Sequence, residues 1–119
     1  MSFGYKHLEV WQVAMDLVED IYRIAKEFPK EEMYGLVSQM RRGAISIPSN
    51  IAEGKSRSSG KDFRLFLIHS LASASELGTQ LEIASRLKYI TQKDFDELLN
   101  TINRVSKMLS SLVRKLSVK

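Results

Sequence analysis

The sequence predicts an all-α protein, an antiparallel up-down-up-down four-helix bundle with helices over roughly residues 9–28, 34–53, 60–87 and 92–116. Three observations carry that prediction. Apolar residues recur three and four positions apart in four separate segments, no segment alternates with period two, and the connections are only about four to seven residues long. The whole chain, residues 1–119, then forms a single domain. At this length it buries roughly two-thirds of its unfolded surface around one core.

In the first segment Val10, Ala14, Leu17, Ile21, Ile24 and Phe28 fall on one helical stripe, and Pro29 stops the helix. The second carries Leu36, Met40, Ala44, Ile47 and Ile51 on one face and meets Gly54, a residue suited to a left-handed cap. Ser59 with Asp62 three residues later is a weaker form of capping box and opens the third segment. Its core face is Phe63, Phe66, Leu67, Leu71, Ala74, Leu77, Leu81 and Ala84. Thr91 with Asp94 repeats the capping pattern before a fourth stripe from Phe95 to Leu116.

The third segment also bears a second line of apolar and small residues, Leu65, Ile68, Ala72, Ser75, Thr79 and Ile83, displaced from its core stripe. A helix in a simple bundle needs one inward stripe, so the second line meets a further surface or remains exposed. It is either a subunit interface or an unusually wide core face. Small side chains in SLASASELG, residues 70–78, suit close approach of another backbone and favour the interface.

RRGAISIPSNIAEG, residues 41–54, is the least regular part of the second helix. Pro48 cannot donate to the carbonyl of Ala44, and a proline inside a helix costs ~3 kcal/mol relative to alanine. The apolar spacing continues through Ile47 and Ile51, so the helix bends and carries on, with Ser46, Ser49 and Asn50 able to re-satisfy the interrupted backbone. The same residues are also compatible with a small binding notch. Antiparallel packing would bring Asp16, Asp20 or Glu76 to the height of Arg41 and Arg42, and at least one of the two arginines is expected to pair with them, within the bundle or across a subunit boundary.

The formal net charge is +4. Residues 1–34 contribute −3, residues 35–64 contribute +4, residues 65–90 balance and residues 91–119 contribute +3. Arg41, Arg42, Lys55, Arg57, Lys61 and Arg64 would form a basic surface around one end of the second and third helices. Lysine and arginine contacts to phosphates give sequence-independent affinity for nucleic acid that weakens with salt. Oppositely charged helices packed together would produce the same asymmetry, and no helix-turn-helix, zinc finger or ribonucleoprotein motif accompanies the charge.

Other chemistry is scarce. The chain has no cysteine, which excludes disulfides and thiolate metal sites and suits a reducing, cytoplasmic setting. No run approaches the ~18 apolar residues of a membrane span, so no membrane partner is expected. Neither His7 nor His69 follows a glutamate at the spacing a di-metal bundle requires, since Gly4 and Phe66 stand there. No nucleophile elbow, phosphate-binding glycine loop or dinucleotide fingerprint occurs, and no catalytic residue, cofactor or metal is expected. His69, beside the core stripe, reads as a hydrogen-bonded structural histidine. Trp11 and Tyr22 read as packing residues, while Tyr34 and Tyr89 either stack on bases or cover the bundle ends.

Five stretches together resemble the 23S rRNA intervening-sequence proteins, a family of four-helix-bundle proteins. They are LEVWQ at Leu8–Gln12, FP at Phe28–Pro29, YGLVSQMRR at Tyr34–Arg42, SIPSNIAEG at Ser46–Gly54 and FRLFL at Phe63–Leu67. Trp11, Gln39, Ser46, Pro48, Ser49, Asn50, Glu53 and Gly54 are the residues that carry this motif. Gly43 stands where the family more often has alanine, and residues 73–80 match more loosely.

The resemblance implies a bundle that assembles into a ring, commonly a homopentamer, with no established catalytic activity. Some members are encoded within insertions in rRNA genes. A related protein, the accessory factor of diversity-generating retroelements, is a basic pentameric barrel that binds nucleic acid and the reverse transcriptase. The expectation is therefore a non-enzymatic homo-oligomer binding RNA or other nucleic acid through its basic surface. The alternative is a protein-interaction scaffold whose arginines are consumed by internal pairing.

Overall fold

The computed structural model describes residues 4–116, so the ends of the expected 1–119 domain lie outside the described residues. Four helices, α1 (Glu9–Ala25), α2 (Leu36–Lys55), α3 (Gly60–Arg86) and α4 (Gln92–Lys115), are accompanied by single 3-10 turns at Gly4–His7 and Lys30–Glu32. No strand occurs among the described residues. α1 and α3 each pack against α2 and α4, so the four helices form a bundle with α1 and α3 on one diagonal. Its extents are 46 × 24 × 20 Å.

The inward stripes read from the sequence meet in one core. Leu17, Ile21, Met40, Ile47, Ile51, Leu67, Leu77, Leu81 and Leu109 are fully buried there. Contacts between α2 and α3 pair Gln39 with Gln80, Ser46 with Ser73, Ile47 with Ser70 and Gly54 with Phe66, so these two helices run in opposite directions.

The caps behave as their residue types require. Ser59 Oγ accepts from the Asp62 amide and Thr91 Oγ1 from the Asp94 amide, both at 3.1 Å. α2 lacks such a cap because Gly35 precedes it, and the Glu32 carboxylate accepts from the Leu36 amide at 3.2 Å instead. At the far end of α3, Lys88 takes a left-handed φ of 63°. The amides of Lys88 and Tyr89 bond back to Ser85 and Ala84 there, closing the helix.

Two helix ends depart from expectation. α1 stops at Ala25 rather than Phe28, because the Glu27 and Phe28 amides bond carbonyls three residues back and the residue before a proline disfavours the α conformation. Gly54 is not a left-handed cap. It lies buried inside the last turn of α2, and Gly4 is the one glycine with positive φ among the described residues. Gly54 serves close approach: a Cβ there would stand 2.6 Å from Phe66 Cβ and 3.0 Å from Phe63 Cδ1.

α2 runs unbroken through the buried Pro48. The carbonyls around it are served by side chains. Asn50 Nδ2 donates to the Ser46 carbonyl at 2.9 Å and to Ser46 Oγ at 3.0 Å, and Ser70 Oγ donates to the Ile47 carbonyl at 2.8 Å. Asn50 is thereby committed to the helix, while Ser49 is exposed.

Candidate nucleic-acid interface and assembly surface

The turn joining α2 to α3 places Lys55, Arg57, Lys61 and Arg64 at one end of the bundle. Two of these side chains lie on aromatic faces. The Lys55 ammonium is 5.4 Å from the centre of the Phe63 ring, and the Arg57 guanidinium is 4.9 Å from that of Phe66. Arg57 also pairs with Glu53 at 2.6 Å, in a bridge about half exposed on both sides. Arg64 Nε is buried without a hydrogen-bond partner.

Further bases join them from distant parts of the chain. A Cβ at Gly60 would stand 3.6 Å from Leu116, which sets the last turn of α4, with Arg114 and Lys115, beside the start of α3. The turn Gly4–His7, carrying Lys6, packs on α2, where Tyr5 shares a recess with Ser49 and Ala52 towards the same end. Glu9, Glu53 and Asp62 are the acids nearby, and two of them are engaged: Glu53 by Arg57 and Glu9 by Arg104 at 2.9 Å.

Arg41 and Arg42 do not belong to this group. Thirteen residues of helix separate Arg42 from Lys55, or ~20 Å along α2. Their expected pairing within the bundle is also corrected. Asp20 is taken by Arg23 at 2.8 Å, and neither arginine forms an ion pair within the chain with Asp16, Asp20 or Glu76. Arg41 lies instead over the Tyr22 ring, 4.7 Å from its centre, with its Nε buried and unpartnered. An aromatic face takes up the guanidinium where a carboxylate was expected. Arg42 is exposed beside a polar notch between α2 and α3.

The second line on α3 is exposed in the chain. Leu65 is 50% exposed, Ile68 36% and Ile83 43%, with Ala72, Ser75 and Thr79 exposed between them. At ~100° per residue the line falls half a turn from Leu67, Ala74, Leu77 and Leu81. It is therefore the outward pole of α3, and the wide-core-face alternative is excluded. Between α3 and α4, Ser75, Gly78, Thr79 and Ile83 continue the line into a groove of about 590 Å³ with Leu99, Ile102 and Asn103. A second apolar recess lies between α1 and α2, where Tyr5, Trp11, Met15, Val18, Ile45 and Pro48 line about 330 Å³. Trp11 is half-buried there with its ring 5.2 Å from that of Tyr5.

The chain matches the model of the 23S rRNA-intervening sequence protein family over residues 6–111. It belongs to that family. A crystal structure of an S23 ribosomal protein family member of unknown function from Bacteroides thetaiotaomicron has the same fold. It superposes with a TM-score of 0.82 at 26% sequence identity, covering 88% of this chain and 95% of that one. No curated protein matches the chain. The family match spans the residues that carried the resemblance, and several of them hold α2 against α3. Gly54 admits Phe63 and Phe66, Ser46 Oγ bonds Ser73 Oγ at 2.8 Å, and Gln39 accepts from Gln80 at 3.5 Å.

The remaining candidates divide between packing and exposure. Tyr89 covers a bundle end, donating to Glu32 at 2.8 Å with its ring 5.3 Å from that of Phe28, whereas Tyr34 is 95% exposed. His69 is exposed, its ring 5.9 Å from Phe66, which corrects the expectation of a hydrogen-bonded structural histidine. No group of three or more metal-ligating side chains occurs among the described residues, and no described helix is long and apolar enough to cross a membrane. Lys6, Arg114 and Lys115 were absent from the sequence reading. Their one available signal was that a four-helix chain with short connections returns its last helix end to the first turn.

Proposed function

We propose that this protein is a non-enzymatic up-down-up-down bundle that assembles side by side into a homo-oligomeric ring, commonly of five copies, and binds RNA or other nucleic acid on one rim. The uncovered apolar pole of α3 carries the reading. A row this long and regular is stabilised by a second copy, and the recess between α1 and α2 is an apolar partner on another flank of the same molecule. Joining unlike faces gives a head-to-tail contact, which closes into a ring when the rotation permits.

Side-by-side packing would align the long axes. Lys6, Lys55, Arg57, Lys61, Arg64, Arg114 and Lys115 of every copy would then gather on one rim and multiply the positive field seen by a polyanion. Arg57 on Glu53 and Arg41 on Tyr22 are already engaged within the chain, and this favours a second reading in which the ring is a scaffold for another protein.

Light scattering on the purified protein, together with RNA retention across a salt series, separates these readings. Nucleic-acid binding gives a linear fall of log K with log salt, and Lys61→Ala with Arg64→Ala makes the slope shallower by roughly 0.7 per lost phosphate contact on single strands. The ring is overturned by a monomer at all concentrations, and the rim by RNA retention that is negligible at physiological salt.

A further inference from the structure

Midway along the bundle, Gln39, Arg42, Gly43 and Ser46 of α2 face Ser73, Glu76 and Gln80 of α3 across an open notch of about 390 Å³. Gln80 is 6% exposed, and its Oε1 is buried with no hydrogen-bond partner, although its Nε2 donates to Gln39 at 3.5 Å. A buried carbonyl without a donor is costly, and a rotation of the Gln80 side chain towards the notch would offer that oxygen to an incoming N–H group. Glu76 lies one turn before Gln80 on the same face of α3 and adds a carboxylate. Arg42 supplies donors from the opposite wall, and neither charged group is in an ion pair. The Ser46–Ser73 hydroxyl pair at 2.8 Å closes one wall.

We propose that this notch binds the Watson–Crick edge of an unpaired guanine base, Gln80 Oε1 and the Glu76 carboxylate accepting from its two neighbouring N–H groups while Arg42 donates to its O6. Two acceptors beside a cationic donor select the base that presents two adjacent donors beside an acceptor. Adenine, cytosine and uracil each present a single donor group on that edge and place acceptors where a carboxylate repels them. Unpaired bases read on this edge are the usual basis of sequence-specific RNA recognition. The inference rests on the nucleic-acid reading above and adds a base preference to it. Along α2 the notch lies ~14 Å (at Ser46) to ~20 Å (at Arg42) from Lys55, a span of a few nucleotides for a strand held at the rim.

Gly43 makes the test clean. A Cβ there would stand 3.6 Å from Gln80 Oε1, an ordinary contact that fits the fold yet restricts the rotation that would present the oxygen. The experiment titrates the isotope-labelled full chain with GMP, IMP and AMP and follows the side-chain amide resonances of Gln39 and Gln80. Saturable GMP shifts are expected, with IMP, which lacks the exocyclic amine, binding about tenfold more weakly and AMP leaving the resonances in place. Gly43→Ala and Glu76→Gln should each weaken GMP by about tenfold with unchanged thermal unfolding cooperativity. Equal responses to GMP and AMP, GMP binding unaffected by both variants, or no response to GMP overturns the notch. If long RNA is still retained with a steep salt slope when GMP fails, the rim reading stands alone. GMP in the notch without retention of long RNA overturns the rim and leaves the notch.

Discussion

Two glycines on one helix should respond to the same substitution with opposite signs. Glycine inside a helix is ~0.5–1 kcal/mol less favourable than alanine. At Gly43 an added Cβ meets Gln80 Oε1 at 3.6 Å, so Gly43→Ala should keep that gain and stabilise the protein by ~0.5–1 kcal/mol. At Gly54 the added Cβ would lie 2.6 Å from Phe66 Cβ, 3.0 Å from Phe63 Cδ1 and 3.3 Å from the Phe63 carbonyl oxygen. Phe66 Cβ and the carbonyl cannot rotate away, because both are fixed by the α3 backbone. α2 must therefore move off α3, and overpacking of this kind costs ~1–3 kcal/mol.

Subtracting the propensity gain leaves Gly54→Ala destabilised by ~0.5–2 kcal/mol. That corresponds to a melting temperature lower by about 2–8 °C, against a rise of about 2–4 °C for Gly43→Ala. Thermal unfolding followed by circular dichroism at matched protein concentration reads both, since self-association shifts the midpoint. A Gly54→Ala protein melting at or above the wild type would show that the helices are not held at this separation.

Other perturbations test the remaining contacts. Thr91→Ala removes the acceptor of the Asp94 amide and should cost ~1 kcal/mol in denaturant unfolding. Arg104→Ala should change stability by no more than ~0.5 kcal/mol, because the Arg104–Glu9 bridge is 59% and 68% exposed on its two sides. Tyr89 is raised above its usual 10.0, first by its hydrogen bond to Glu32 and then by burial. A raised folded-state value means that its stabilisation is complete below pH 10.0 and is lost as pH climbs past it, so Tyr89→Phe should flatten the alkaline fall of melting temperature. Ile68→Glu, near the N-terminal end of the outward row, should lower the solution mass measured by light scattering while leaving the helical circular dichroism unchanged.

Helix existence and the inward stripes were legible in the sequence because periodicity is a local property and the core is built from it. Ser59 and Thr91 were legible for the same reason, each capping an amide only three residues away. The misreadings concern partners supplied by the third dimension. Gly54 has the composition of a cap, yet its role is set by Phe63 and Phe66 across the helix pair. Glu32 carries no local mark of its role, although it caps α2 and anchors Tyr89, 57 residues away. Arg41 had carboxylates at the right height but an aromatic ring at the right angle, and height along a bundle is all that helix counting supplies.

The candidate surfaces divide along the same line. Spacing alone identified the second row of α3, and only the packing of α2 and α4 on either side shows that the row faces outward. The basic end was half visible, because Lys55 to Arg64 are consecutive with the turn while Lys6, Arg114 and Lys115 arrive from both ends of the chain. A charge cluster assembled from three chain regions exists only when the bundle is closed, whereas the apolar row exists on α3 as soon as that helix forms. Assembly and anion binding should therefore separate under mild denaturation: loosening α4 from α3 would disperse the basic end first and leave the row on α3 intact.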